Sequence, residues 1–109
     1  MDFELNAKWQ ELIAEFEKDI GMRPDLQGVI FLIGVRELGK GYQNFKKDEK
    51  LNLMHIALCT LLEPYGYYEK SGEDADGWPH FDSKKKLPLL DQQEQEIFIK
   101  KAILEYFGY

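Results

Sequence analysis

The stretch from Asp48 to Glu63 reads DEKLNLMHIALCTLLE and decides the predicted fold. On a helical wheel its apolar residues form two adjacent stripes, namely Leu51, Met54, Leu58 and Leu62 in one and Leu53, Ala57 and Leu61 in the other. A helix that is apolar over most of its circumference has to be surrounded by other elements. We therefore predict that it is the central helix of an all-α or mainly α domain of about four helices, with Asp48 as its N-cap and Pro64 at its end.

Length and composition restrict the class of protein. A chain of 109 residues has the size of a single domain, so residues 1–109 are predicted to form one helical domain. The chain is 44% hydrophobic and 14% aromatic, which is typical of a globular protein and not of a disordered one. Its 20 acidic and 14 basic residues give a net charge of −6, which disfavours binding to nucleic acid or to an anionic membrane. We expect neither as a partner.

The sequence also predicts a location. Residues 1–19 carry charges throughout and lack the apolar core of a secretory signal. The longest apolar run, Val29 to Ile33, is too short to cross a bilayer. Cys59 is the only cysteine, and an unpaired thiol in an apolar helix suits a reducing compartment. The predicted location is the cytoplasm.

Amphipathic patterns predict a helix near each end of the chain. The first has apolar residues at steps of three and four and is expected to end near Gly21; its apolar residues are Phe3, Trp9, Leu12, Ile13, Phe16 and Ile20. In the last, Asp91 is expected to cap the helix while Glu94 reaches back to the main chain, and Gly108 marks the end. Its buried face is predicted to comprise Ile97, Phe98, Ile99, Ala102, Ile103, Tyr106 and Phe107.

The segment from Asp25 to Gly41 is ambiguous. Its β-branched run Val29 to Val35 suits a buried strand, but the helical spacing and the length of the segment favour a helix. Gly28 and Gly34 each cost a helix up to about 1 kcal/mol, which indicates either close approach of a neighbouring helix or a strand after all. Residues 34–41 fit the spacing of a phosphate-binding loop, GxxxxGK, but Gly41 stands where Ser or Thr should ligate magnesium. We expect a helix end there.

A long connection between Pro64 and Pro88 combines glycines, an acidic tip and aromatic residues on either side, which indicates a small hairpin or an ordered loop. Two interpretations stay open. The segment could complete the core, since aromatic residues bury large areas. Alternatively it is a recognition surface, because Tyr and Trp are common interface anchors and nearby acidic groups add a charge cue. The residues of that hypothetical surface are Tyr67, Tyr68, Trp78, Phe81, Asp74 and Asp76.

A metal site is the alternative. His55 and Cys59 are four residues apart on one helix flank and could share a metal ion, with Glu63 one turn further and His80, or Glu37 on the second helix, as a fourth ligand. The competing interpretation is that His55 and Cys59 serve packing, and we predict no cofactor. No catalytic residue is predicted. The leading hypothesis is a non-catalytic protein-interaction or regulatory domain that binds a protein partner or a second copy of itself; the alternative is a small-ligand or metal-binding protein.

Overall fold

The computed structural model describes residues 3–109. This part of the chain contains four α-helices, a short 3₁₀-helix and two strands, in the order α1 (Phe3–Ile20), α2 (Leu26–Leu38), α3 (Lys47–Leu62), the 3₁₀-helix (Glu63–Tyr65), β1 (Tyr68–Glu73), β2 (Pro79–Ser83) and α4 (Gln92–Tyr106). The prediction of a mainly helical chain with a small hairpin before the last helix is confirmed. None of the helices in residues 3–109 has the length and hydropathy of a membrane span.

The chain divides into two compact units. Within the described residues, a terminal unit combines residues 3–26 with Leu89–Tyr109 and contains α1 and α4. An inner unit, Gln27–Pro88, contains α3, the hairpin and all of α2 except its first residue. The assignment of residues 1–109 to one domain stays a prediction.

In the terminal unit, α1 and α4 contact each other. The two helices contribute buried side chains, which are Trp9, Leu12 and Ile13 from α1 and Ala102, Ile103 and Leu104 from α4. Phe16 and Phe107 meet edge to face with ring centroids 5.6 Å apart. Phe3 and Ile20, predicted on the buried face, are 79% and 45% exposed. The buried positions lie in the middle of α1, and these first and last residues extend past them.

Two predicted helix signals in this unit are confirmed. Gly21 has φ +77°, a left-handed conformation that glycine adopts without strain, and its N–H donates to the Glu17 carbonyl at 2.9 Å. At the start of α4, the Glu94 N–H donates to Asp91 Oδ1 at 2.8 Å and the Asp91 N–H donates to Glu94 Oε1 at 3.2 Å. Each carboxylate thus satisfies an amide that the helix cannot pair internally.

In the inner unit, a glycine lets two helices approach closely. The β-branched run belongs to helix α2, so the strand alternative and the phosphate-loop geometry are both excluded. Gly34 is buried, and a Cβ added there would lie 2.2 Å from the Leu53 carbonyl oxygen of α3. This distance is far below van der Waals contact, so only glycine fits. The expectation that a neighbouring helix approaches closely is confirmed at Gly34.

The buried side of α3 contains the second predicted stripe, Leu53, Ala57 and Leu61, but only Leu62 of the first. Ile56, which is in neither stripe, is 1% exposed, whereas Leu51 of the first stripe is 61% exposed. Met54 and Leu58 are half-buried. The wheel counts only residue type, whereas the contact with α2 at Leu53 selects the face that is covered. That α3 is central to the whole domain stays a prediction.

The predicted N-cap of α3 is wrong. The helix begins at Lys47, and Lys46, not Asp48, occupies the N-cap position with an extended backbone. The Glu49 carboxylate accepts the Lys46 N–H at 2.8 Å. Because Glu49 at the third helical position satisfies this amide, the helix can start one residue ahead of Asp48.

We predict that Gly34→Ala destabilises the protein by about 1–3 kcal/mol, because α2 and α3 must separate to admit the methyl group. Helix propensity alone would give the opposite sign, since Ala is favoured over Gly. Urea unfolding measures the change. Ala14→Gly, at an exposed position inside α1, serves as the control for propensity and should cost about 1 kcal/mol. A stabilised Gly34→Ala protein would contradict the close approach.

Substitutions on α3 test its orientation. Ile56→Ala should cost about 2–5 kcal/mol in urea titration, because it leaves a cavity in a fully buried site. Leu51→Ala, on the same helix but exposed, should change the unfolding free energy by less than about 0.5 kcal/mol. Equal losses in the two variants would show that the buried face is assigned wrongly.

Candidate functional site

The aromatic connection folds into an antiparallel hairpin of β1 and β2. The register pairs Tyr68 with Ser83 and Lys70 with Phe81, and then shifts between Lys70 and Gly72 as in a β-bulge. Before the hairpin, Gly66 takes a left-handed conformation (φ +83°) and donates its N–H to the Glu63 carbonyl at 2.9 Å. The chain therefore turns directly from the end of α3 into β1.

Asp74 holds the tip of the hairpin, the turn of residues 74–78. Its Oδ1 accepts the N–H groups of Asp76 and Trp78, each at 3.0 Å. Its own N–H donates to the Trp78 carbonyl and its carbonyl accepts the Gly77 N–H, also at 3.0 Å. An aspartate that bonds to the main chain two and four residues ahead fixes the shape of the turn.

The second oxygen of Asp74 faces His80, with 3.1 Å between Oδ2 and Nε2. The Trp78 N–H, followed by the hydrogen bond from His80, lowers the pKa of Asp74 because both stabilise the charged carboxylate. Asp74, predicted as a partner-binding residue, thus has a structural task within the hairpin. The side chain of Asp76 is exposed beside it.

Trp78 anchors the hairpin to the helices of the inner unit. It packs against a buried cluster of Val35, Leu38, Phe45 and Leu53, and its ring meets Phe45 edge to face at 6.5 Å. Trp78 is half-buried in this position. The contact supports the core-completing interpretation for Trp78, while its remaining exposed edge stays open to a partner.

Tyr42 extends the same aromatic cluster to the surface, and sequence reasoning missed it. Its ring packs edge to face on Phe31 at 6.4 Å and on Phe45 at 6.5 Å, although 73% of the residue is exposed. The signal was present in the sequence: Tyr42 follows Gly41 in a short connection of otherwise mostly polar residues. Its proximity to the hairpin comes only from the folded chain.

The other predicted aromatic residues have separate neighbours. Tyr67 lies beneath the Lys85 ammonium group, with 4.5 Å between Nζ and the ring centroid. Tyr68 meets the His55 ring edge to face at 6.4 Å. Phe81 is half-buried opposite Lys70. Among the aromatic residues proposed from sequence, Trp78 is thus the one that shares a cluster with Tyr42 and Phe45.

The proposed metal ligands take part in three separate contacts. His55 Nε2 lies 3.5 Å from Cys59 Sγ. Glu63 Oε2 instead accepts the Lys70 N–H at 2.9 Å, and His80 is bonded to Asp74. Within residues 3–109, no three His, Cys, Asp or Glu side chains are arranged to hold a metal ion.

Cys59 is fully buried, and burial raises the pKa of its thiol to about 11. A low-dielectric environment disfavours the thiolate, which is the form that binds metals and attacks electrophiles. At neutral pH the group is therefore a neutral thiol beside His55.

The Asp74 network predicts a pH dependence. Because the folded-state pKa lies below the ordinary value of 3.8, ionised Asp74 stabilises the hairpin above that value, and the contribution is lost as the pH falls through the folded-state pKa. NMR titration of the Asp74 carboxyl carbon should give a midpoint below 3.8. In His80→Ala the midpoint should rise only part of the way, because the Trp78 N–H is the larger cause. A midpoint at or above the ordinary value would contradict the network.

Comparisons with known proteins identified no relative of this chain. A scan against models of protein families, a search of curated proteins and a search of solved structures each found no match to the chain.

Proposed function

We propose that this chain is a non-catalytic protein-interaction or regulatory domain. We define its recognition surface as Tyr42 and Trp78 together with Asp74 and Asp76 of the hairpin tip and Glu73, the residue before it. The observation that carries the proposal is Tyr42, which is 73% exposed yet held by two aromatic rings. Tyr and Trp are enriched at protein interfaces and dominate the energetics of many of them.

The rings beneath Tyr42 prepare it for binding. Phe31 and Phe45 meet its ring edge to face, which restricts its rotation. An ordered side chain loses little conformational entropy when a partner covers it, so more of the contact energy appears as affinity. Trp78 also packs on Phe45 and extends this support into the hairpin.

The acidic tip lies next to this aromatic group. Lys40 Nζ donates to the Asp76 carbonyl oxygen, and a Cβ on Gly77 would lie 3.4 Å from Lys40 Cε. The connection that carries Tyr42 is therefore attached to the tip. Glu73, Asp74 and Asp76 are exposed there, and the chain has a net charge of −6. We infer a partner segment that carries basic residues around an apolar or aromatic anchor.

The alternative function is a small-ligand or metal-binding protein that uses His55, Cys59 and Glu63 with His80. The 3.5 Å separation of His55 Nε2 and Cys59 Sγ favours it. It requires the buried thiol to ionise despite its raised pKa, and Glu63 and His80 to leave the hydrogen bonds that hold the hairpin. We therefore rank it second.

Random peptides displayed on phage and selected on the wild-type protein test the recognition surface. Selected peptides should be rich in Lys or Arg beside an aromatic or aliphatic residue, and salt should weaken their binding. Tyr42→Ala should weaken binding by about 2 kcal/mol, roughly 30-fold, with little change in melting temperature because the ring is mostly exposed.

Phe3→Ala is the matched control, since Phe3 is an aromatic residue of similar exposure in the terminal unit. It should leave peptide affinity unchanged. Peptides that bind Tyr42→Ala and Asp76→Asn as tightly as the wild type would place the recognition surface elsewhere.

A further inference from the structure

The two edges of the hairpin differ. The Lys84 N–H donates to the Tyr67 carbonyl at 2.9 Å, and in an antiparallel ladder alternate pairs are hydrogen-bonded. Glu69 and Asp82 therefore bond to each other, whereas Lys70 and Phe81 direct their amides to opposite outer edges. On the β1 edge, the Glu63 carboxylate already accepts the Lys70 N–H at 2.9 Å. The middle of the β1 edge therefore has no free N–H to offer another strand.

The β2 edge is open at Phe81 and Ser83; Pro79 at its start is buried, and its carbonyl makes no main-chain hydrogen bond in the described part of the chain. Phe81 and Ser83 direct their N–H and C=O groups outward, and within residues 3–109 neither main chain makes a further hydrogen bond. Asp82 and Ser83 are exposed, and Phe81 is half-buried. Unpaired strand edges are templates for another strand. Pro79 has no N–H, so the edge supplies donors only from Phe81 and Ser83.

We propose that the β2 edge pairs with the β2 edge of a second copy of this chain, antiparallel and centred on Phe81. In this register the two Phe81 residues exchange hydrogen bonds and each Ser83 N–H donates to the carbonyl of the other copy's Pro79. The outward N–H groups of Phe81 and Ser83 in both copies then have acceptors. Because Pro79 has no N–H, no donor on this edge is left without a partner.

Charge selects both the occupant and the register. Centring on Phe81 places His80 opposite Asp82 of the other copy, whereas centring on Asp82 would place two carboxylates face to face. The lysines 84–86 follow β2, and the acidic tip precedes it. Lys84 and Lys85 contact Glu69 and Tyr67 of their own copy, so Lys86 is the lysine that a two-fold axis across β2 brings towards the exposed Asp76 of the other copy. The register centred on Phe81 is therefore the one that these charges favour.

Sedimentation equilibrium over roughly a hundredfold range of protein concentration tests the proposal, because a contact of one short strand gives a weak, concentration-dependent dimer. The wild type should dimerise, and its Phe81 and Ser83 amides should exchange more slowly with solvent as concentration rises. The Lys70 amide should exchange at a rate independent of concentration, since Glu63 protects it within one copy.

Ser83→Pro removes an outward N–H while leaving the ladder with β1 intact, and it should shift the protein to monomer.

Lys86→Glu and Asp76→Lys should each impair self-association, and an equimolar mixture of the two should restore it, because every crossed pair is then of opposite charge. Lys101→Glu, an exposed lysine of the terminal unit, is the control and should dimerise like the wild type.

A monomer at every concentration would overturn the proposal, and so would a dimer that Ser83→Pro leaves intact or in which the Phe81 and Ser83 amides stay unprotected. Slowed exchange only after addition of a selected phage peptide would mean that a foreign strand, not a second copy, takes the edge. Peptide binding by monomeric Ser83→Pro keeps this test separate from the proposed recognition surface.

Discussion

The inner unit depends on the contact of Gly34 with the main chain of Leu53. With no side chain on Gly34, α2 and α3 come close enough for its Cα to face a carbonyl oxygen. Leu53, fully buried at this contact, then forms a cluster with Val35, Leu38 and Phe45. Protein interiors are close-packed, so a single added methyl group at Gly34 would displace side chains of this cluster.

The hairpin is built onto this cluster through one aromatic residue and stiffened by one carboxylate. The Trp78 ring packs on Phe45, and Asp74 accepts the Trp78 N–H and so fixes the turn that positions this ring. Two short strands alone are marginally stable in water, so packing against helices is what makes such a hairpin persist. The two interpretations of this segment, a cover for the core and a recognition loop, therefore do not exclude each other. Trp78 performs the first role, and we propose that Tyr42 and the acidic tip perform the second.

The hairpin also accounts for polar residues that otherwise suggest metal chemistry. Glu63 closes the β1 edge at Lys70, and His80 supports Asp74. Both side chains have hydrogen-bonding tasks within the inner unit, while Cys59 is held neutral by burial. The open β2 edge is the counterpart of the closed β1 edge, and this asymmetry directs our proposal of self-association to one strand.

The sequence by itself determined the features that depend on neighbouring residues. Helical spacing, Gly21 and the pairing of Asp91 with Glu94 predicted the terminal helices, since caps and periodicity act within a few residues. Composition around the acidic tip indicated the hairpin. Tertiary structure alone decided which side of α3 is covered, because a wheel cannot show that α2 arrives at Leu53 and leaves Leu51 in solvent. It also decided that Tyr42 joins Phe45 and Trp78, and that Glu63 reaches Lys70, because these contacts connect residues whose proximity no local spacing encodes.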